Sequence, residues 1–279
     1  MKSSVKAIKT TALVNAWLHE SQSSRILHLF ENACNLINER DEIISLVRPD
    51  LGAGPFALVL AETRPFPTII SLNSPLTVNR HALQIGPLFI DCHTAALWPA
   101  KVDWLRWQQQ TAVWQRILPI IEQMIAAHRL NLGDETAVAQ QRLTAGIQRL
   151  LKGIHTQNKE AVEAGVAQIA GLGRGLTPAG DDVLLGVLYG LWATEPAAAC
   201  QPLIERIVDT AVPRTTTLSA AWLQAARRGE AAELWHDLGL SLPGEQWRDA
   251  VGRILQTGHS SGADALWGFT AVVRQNIFE

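Results

Sequence analysis

The chain has 279 residues, 47% of them hydrophobic and 18% charged, with a formal net charge of -2. That balance describes a folded protein with a substantial core and gives no basis for nucleic acid or an anionic membrane as a partner. Three widely spaced cysteines, Cys34, Cys92 and Cys200, with no CxxC pair, fit a reducing cytosol and neither a disulfide framework nor a zinc site.

The N-terminal stretch "MKSSVKAIKTTALVNAWLHE" has the lysines and short apolar run of a secretory signal, but no small-residue cleavage site. It reads as an amphipathic first helix. No apolar run reaches the length of a membrane span, so a soluble, cytoplasmic protein is expected. "EIISLVRPDLGAGPFALVLAE" then reads as two strands around a Gly-Pro hairpin turn at Gly52 to Phe56. "TIISLN", "LTVNRHALQIG" and "LFIDCHTAALW" add further β-branched runs broken by Pro, Asn and Gly. Residues 1–100 are therefore expected to form a mainly antiparallel sheet or partial barrel with a leading helix.

From Asp103 the period changes. "DWLRWQQQTAVWQRILPIIEQMIAAHRL" is helical, with Asp103 placed as an N-cap and Pro119 marking a kink or break. "DETAVAQQRLTAGIQRLLKGI" and "NKEAVEAGVAQIAGLG" follow, then an apolar helix after Asp182 and four more helical segments to the C-terminus. Residues 101–279 read as a helical bundle, and the fold class is α+β, a sheet packed on that bundle. The ten tryptophans fall at helical positions suited to a core.

Three interhelix corners in the second part carry polar groups out of proportion to a simple turn. In "GLGRGLTPAGDD", Gly171, Gly173 and Gly175 give access to positive φ, Thr177-Pro178 suits a helix start, and Arg174 offers a bidentate donor. Helix-start amides with the positive end of the helix dipole make an anion site there. The stretch is neither a Walker A loop, which needs a lysine, nor a Rossmann fingerprint, which follows a strand. "VPRTTTLSAAWL" supplies Arg214, Thr215 and Thr216, with Ser219 one turn on. "TGHSSGADALWGF" supplies His259, Ser260 and Ser261 in a corner, with Asp264 in the next helix. Gly186 and Gly190, four apart, point to a central helix packed closely on its neighbours. The bland reading of each corner is ordinary capping, with Asp181 and Asp182 complementing a dipole. A Cys92-His93 nucleophile is weak, since adjacent residues on a strand point apart. The histidines form no HxxxH or HxH pair, so no histidine metal site is expected.

"GLGRGLTPAGDDVLLG" and "TGHSSGADALWGF" together resemble the signature segments of an AllH-like bacterial family, formerly of unknown function, some of whose members are encoded beside FdrA-like proteins. One member is a subunit of oxamate carbamoyltransferase in anaerobic allantoin degradation. The likeness is sharp over these segments, loose over the C-terminal half, and limited to length and character over the N-terminal sheet. It implies a carbamoyltransferase subunit taking carbamoyl phosphate and oxamate to oxalurate and phosphate, with FdrA-like and other subunits as partners and no required cofactor. On that reading Arg174, Gly173, Gly175, Thr177, Gly180 and the amides after Pro178 hold the phosphate, with Arg214, Thr215, Thr216, Ser260 and Ser261 around them. His259 is the general acid or base, oriented by Asp182 or Asp264. Two alternatives stand beside it. One is a Mg²⁺-dependent enzyme on a phosphorylated metabolite, with Asp181, Asp182, Asp209 and Asp264 as ligands. The other is a non-catalytic assembly subunit whose glycine corners serve helix packing.

Overall fold

Val5 and Ala7 are buried and alternate with exposed Ser4 and Lys6, the period of a strand rather than a helix. The first element is accordingly β1 (Ser3–Thr10), and the expected leading helix begins only at α1 (Ala12–Glu20), capped by the Thr11 hydroxyl on the Val14 amide at 3.2 Å. The computed structural model describes residues 3–132 and 137–278, in two units. One contains the chain up to Lys101 together with Ala231–Glu233; the other contains Val102–Glu230 and the residues from Leu234 on.

In the first unit β1 is joined by β2 (Ser24–Leu29), β3 (Ala33–Asn38), β4 (Ile43–Val47), β5 (Ala57–Leu60), β6 (Leu76–Asn79), β7 (Ala82–Ile85), β8 (Leu88–Asp91) and β9 (Ala96–Leu97). The order is β2-β3-β4-β5-β1-β8-β7-β6, with β9 added on β1. β2 and β6, at the two ends of that order, approach one another, so the mixed sheet nearly closes. The pairs β1–β8, β1–β9 and β4–β5 are parallel and the other described pairs antiparallel. The expected hairpin at Gly52 to Phe56 is therefore a crossover: β4 and β5 run the same way, through a 3-10 turn at Pro49–Leu51 and Gly52 at φ 73°. "TIISLN" is no strand; it follows a 3-10 turn at Phe66–Thr68. β2 and β3 are strands that the composition did not single out. Trp17 and Leu18 of α1 bury against Leu36, Leu46, Leu58, Leu83 and Ile90 of the strands, each such side chain contributing about 1.5–3 kcal/mol. The stretch Ala231–Glu233 ties back to this unit, its Glu233 carboxylate receiving Lys9 Nζ at 2.6 Å and the Ala53 amide at 2.7 Å.

The second unit is helical: α2 (Trp104–Gln108), α3 (Thr111–Leu132), α4 (Ala137–His155), α5 (Lys159–Ile169), α6 (Ala179–Thr194), α7 (Ala197–Ala211), α8 (Thr217–Arg227), α9 (Glu233–Ser241), α10 (Trp247–Leu255) and α11 (Ser261–Phe278). α9, unmarked in the sequence reading, begins at the end of the returning stretch. Asp103 caps α2 on the Arg106 amide, as expected, whereas Pro119 lies inside an unbroken α3 and the break falls before it, at Gln109-Gln110. The expected start of α4 at Asp134 to Thr136 lies outside the described residues. α6 has 14 of its 16 residues buried, the signature of a helix surrounded on all sides. Its main neighbour is α11, and the two backbones nearly touch: a Cβ on Gly186 would lie 1.8 Å from the Ala265 carbonyl oxygen. Trp107, Trp114, Trp235 and Phe269 stack in one aromatic cluster of this core.

Candidate functional site

α6 begins at Ala179, with Pro178 in the N-cap place, so Asp181 and Asp182 occupy its first turn rather than precede it. Acidic side chains in a first turn suit the positive end of a helix dipole, which is the local preference that places them there. Both are buried. The approach to this start is a loop in which Gly171, Gly173 and Gly175 all adopt positive φ (69°, 128° and 94°), a conformation costly for any residue with a Cβ.

The three polar corners converge on this helix start. The Asp181 carboxylate accepts the Gly171 amide at 2.8 Å and the Thr215 hydroxyl. Thr216 donates to the Leu176 carbonyl at 2.6 Å while accepting the Ser219 amide as the N-cap of α8. The hydroxyls of Thr177 and Ser261 are 3.0 Å apart and both face the Asp182 carboxyl. Asp264, buried on α11, is paired with Arg129 of α3, whose guanidinium also lies 4.5 Å from the Trp267 ring centre. Arg129 was absent from the sequence reading; it stands 135 residues away from Asp264, and only packing brings it there.

Several expected roles change in the folded chain. Three of the amides after Pro178 are occupied: Gly180 donates to the Leu172 carbonyl at 2.8 Å, and Asp181 and Asp182 to the Pro178 carbonyl. Gly180 is a packing residue, since a Cβ there would sit 1.8 Å from the Ile169 carbonyl oxygen. Thr215 and Thr216 tie the corners together and have their hydroxyl protons committed. Arg214 turns away to the Thr210 carbonyl at 2.5 Å, at the edge of an open depression between α5 and α7 lined by Glu160, Glu163, Glu205 and Asp209. His259 is exposed and makes no hydrogen bond to a described residue, so neither Asp182 nor Asp264 orients it. Ser260 lies beside it, half-buried, its carbonyl accepting the Asp264 amide.

What remains open is the loop itself. The amides of Gly173, Arg174, Gly175, Leu176 and Thr177 make no hydrogen bond among the described residues. Arg174 is exposed and has no carboxylate partner among them, and a Cβ on Gly175 would meet nothing within 4 Å. The open amides therefore lie in the loop ahead of the helix, around positive-φ glycines, and not at the helix start where the sequence placed them. At that helix start Asp182 has no cation. Burial pushes its carboxyl up to about 8, the charges of Asp264 and Asp181 push the same way, and the Ser261 and Thr177 hydroxyls offset part of the rise. Its Oδ2 has no hydrogen-bond partner among the described residues. Burial raises Asp181 as well, against its bonds to Thr215 and Gly171.

The other candidates separate from this site. Among the described residues no three His, Cys, Asp or Glu side chains are placed to hold a metal ion. Asp209 is paired with Arg227 at 2.8 Å, apart from the three aspartates at the helix starts. Burial holds the Cys92 thiol up at about 12, which leaves it without thiolate character beside His93. No helix among the described residues is long and apolar enough to cross a membrane.

Two family models match the chain. One, described as the AllH family N-terminal domain, covers residues 5–97; the other, described as oxamate carbamoyltransferase subunit AllH, covers residues 169–273. The first spans the nearly closed sheet and the second runs from the end of α5 through most of α11, taking in all three corners. No solved structure gives a significant match.

Proposed function

The chain belongs to the AllH family, the family of an oxamate carbamoyltransferase subunit, and on that premise we propose that it binds the enzyme's anionic substrates at the loop Gly173 to Thr177. One observation carries this reading: five consecutive amides without a partner among the described residues, bearing an exposed arginine, above the meeting point of three hydroxyl-bearing corners. Carbamoyl phosphate brings a dianionic phosphate and oxamate a carboxylate, both suited to amide donors and a guanidinium.

The chemistry asks little else of the protein. The amide nitrogen of oxamate attacks the carbamoyl carbon, a tetrahedral oxyanion forms, and the carbon–oxygen bond to phosphate breaks to leave oxalurate and phosphate. Fixed N–H donors stabilise the oxyanion, and holding both substrates in line removes much of the entropic barrier. His259, exposed on the corner that reaches Thr177 through Ser261, serves as the acid or base. Other subunits, with an FdrA-like protein among them, complete the enzyme, which works in the cytoplasm on the path of allantoin breakdown.

The test is calorimetric titration of the chain, alone and with its partner subunits, using carbamoyl phosphate and oxamate. Arg174→Ala is expected to weaken carbamoyl phosphate binding at least about tenfold, in line with the loss of a charge-assisted hydrogen bond. His259→Ala is expected to lower turnover while leaving binding in place, and chelation to leave binding unchanged. Native binding in Arg174→Ala together with native turnover in His259→Ala would remove the reading, and a complex whose affinity resides wholly in its partners would leave this chain as an assembly subunit.

A further inference from the structure

The three buried carboxyls at the helix starts are not equivalent. Asp181 is committed to the Gly171 amide and the Thr215 hydroxyl, and it holds two of the corners together. Asp264 has Arg129. Asp182 has neither a cation nor a backbone donor; it is 6% exposed, and its Oδ2 is without a hydrogen-bond partner among the described residues. What faces it is Asp181 from its own helix, Asp264 and Ser261 from α11, and Thr177 from the loop, with the Arg129 charge directed to Asp264. An ionised carboxylate in that company would face two further carboxyls in a region of low dielectric, which favours the protonated form.

Thr177 and Ser261 are half-buried, and their paired hydroxyls link the enclosed carboxyl to the loop of open amides, of which Thr177 is the last residue. A hydroxyl can accept one hydrogen bond and donate another. A protonated carboxyl donates to one hydroxyl of such a pair, which donates to the other and leaves the second hydroxyl's proton for a ligand, whereas a carboxylate draws that chain of protons inward and adds a negative charge near the bound anion.

We propose that Asp182 is the neutral acid of the site: its proton is donated to one of the Thr177 and Ser261 hydroxyls, that hydroxyl donates to the other, and the second donates to an oxygen of a bound phosphate dianion, which is held only while the Asp182 proton is in place. This role rests on the reading of the Gly173 to Thr177 loop as the phosphate cradle. Asp182 acts through the two hydroxyls and is therefore a positioning residue. It also sets a specificity. The site takes a fully ionised phosphate and excludes a second negative charge beneath it, so the protein rather than the ligand supplies the proton of the contact.

The experiment is titration of carbamoyl phosphate, dianionic above about pH 6.5, into the wild-type chain and into Asp182→Asn between pH 6.5 and pH 9.5. The wild-type association constant is expected to stay level until near pH 8 and then to fall about tenfold per pH unit, the slope of one coupled proton. Asp182→Asn, which keeps a neutral donor at every pH, is expected to bind with a flat profile. A flat wild-type profile to pH 9.5 overturns the role of Asp182 and leaves the cradle standing; so does an Asp182→Asn profile that falls like the wild type. Absence of binding at every pH, in the chain alone and with its partner subunits, overturns the cradle and this role together. Should Asp182→Asn fail to fold, as judged by thermal unfolding, the wild-type profile alone decides.

Discussion

Glu62 in the sheet unit and Asp182 in the helical unit each expose only 6% of their surface, Asp182 lying much the deeper of the two, and their carboxyls move in opposite directions. Glu62 receives Arg64 through two hydrogen bonds of 3.0 and 2.7 Å and the amides of Thr63 and Arg64, and these contacts hold it down at about 2. Asp182 faces two hydroxyls and two further carboxyls, and burial takes it up to about 8. Burial raises Asp182 because no cation opposes it, whereas in Glu62 the Arg64 guanidinium and two amides outweigh a smaller cost of desolvation. Glu62 is finished as a structural contact. Asp182 retains a buried oxygen without a partner among the described residues at the place where three corners meet, and that difference separates a satisfied carboxyl from one whose hydrogen bonds are incomplete.

The comparison can be broken most forcefully at Arg129. Arg129→Met leaves Asp264 buried without its cation, and the expected loss is about 3 kcal/mol, the lower end for breaking a buried pair because Arg129 is partly exposed. Urea unfolding at pH 7 measures it, and a loss below about 0.5 kcal/mol, the scale of an ordinary surface change, would show that the pair carries nothing.

Opposite signs are expected from the two carboxyls themselves. For Glu62 the folded value lies below the ordinary 4.5, so its stabilisation is present above that pH and is lost as pH falls towards 2. Glu62→Gln should lower stability by about 1 kcal/mol at pH 7, since Arg64 is half in solvent, and by less at pH 2.5. For Asp182 the folded value lies above the ordinary 3.8, so its contribution is present below that pH and is lost as pH rises to about 8. Asp182→Asn should therefore gain stability relative to the wild type, increasingly so from pH 4 to pH 8. Melting temperatures of both variants across this range check the signs; shifts in the same direction would dissolve the contrast.

Smaller effects sharpen it. Thr177→Ala and Ser261→Ala should each cost about 1 kcal/mol, with the double variant less than additive because the two hydroxyls share one bond. Either change should raise the Asp182 titration further, since both hydroxyls hold it down, and infrared titration of its carboxyl would follow that shift. Smallest of all, Arg174→Ala should leave stability within about 0.5 kcal/mol, as measured by urea unfolding, while weakening anion binding, the separation expected of an exposed ligand residue.

The α+β division, the Asp103 cap, the closeness of α6 to its neighbour and the buried tryptophans were all written in local pattern. Alternation, cap chemistry and paired glycines act over a few residues, and the chain obeys them wherever nothing distant intervenes. The same local logic misread Ser3–Thr10, where the strand period of Val5 and Ala7 runs directly into the helical period of α1, and it misread β4 and β5 as a hairpin, where the 3-10 turn at Pro49–Leu51 and the stretch after it bring the chain back to pair in parallel.

The site divides in the same way. Positive-φ glycines, Arg174 and the hydroxyl-rich corners are legible residue by residue, because backbone freedom and side-chain chemistry are local properties. Which of them remain open to a ligand was decided by packing. Leu172 and Pro178 carbonyls occupied the helix-start amides, Thr210 drew Arg214 aside, and Arg129 reached Asp264 from another helix. Each of those partners lies where the backbone path of its own element places it, and hydrogen-bonding capacity in a protein interior is shared by proximity in space. The open amides of the loop and the unpaired oxygen of Asp182 are what that competition left over.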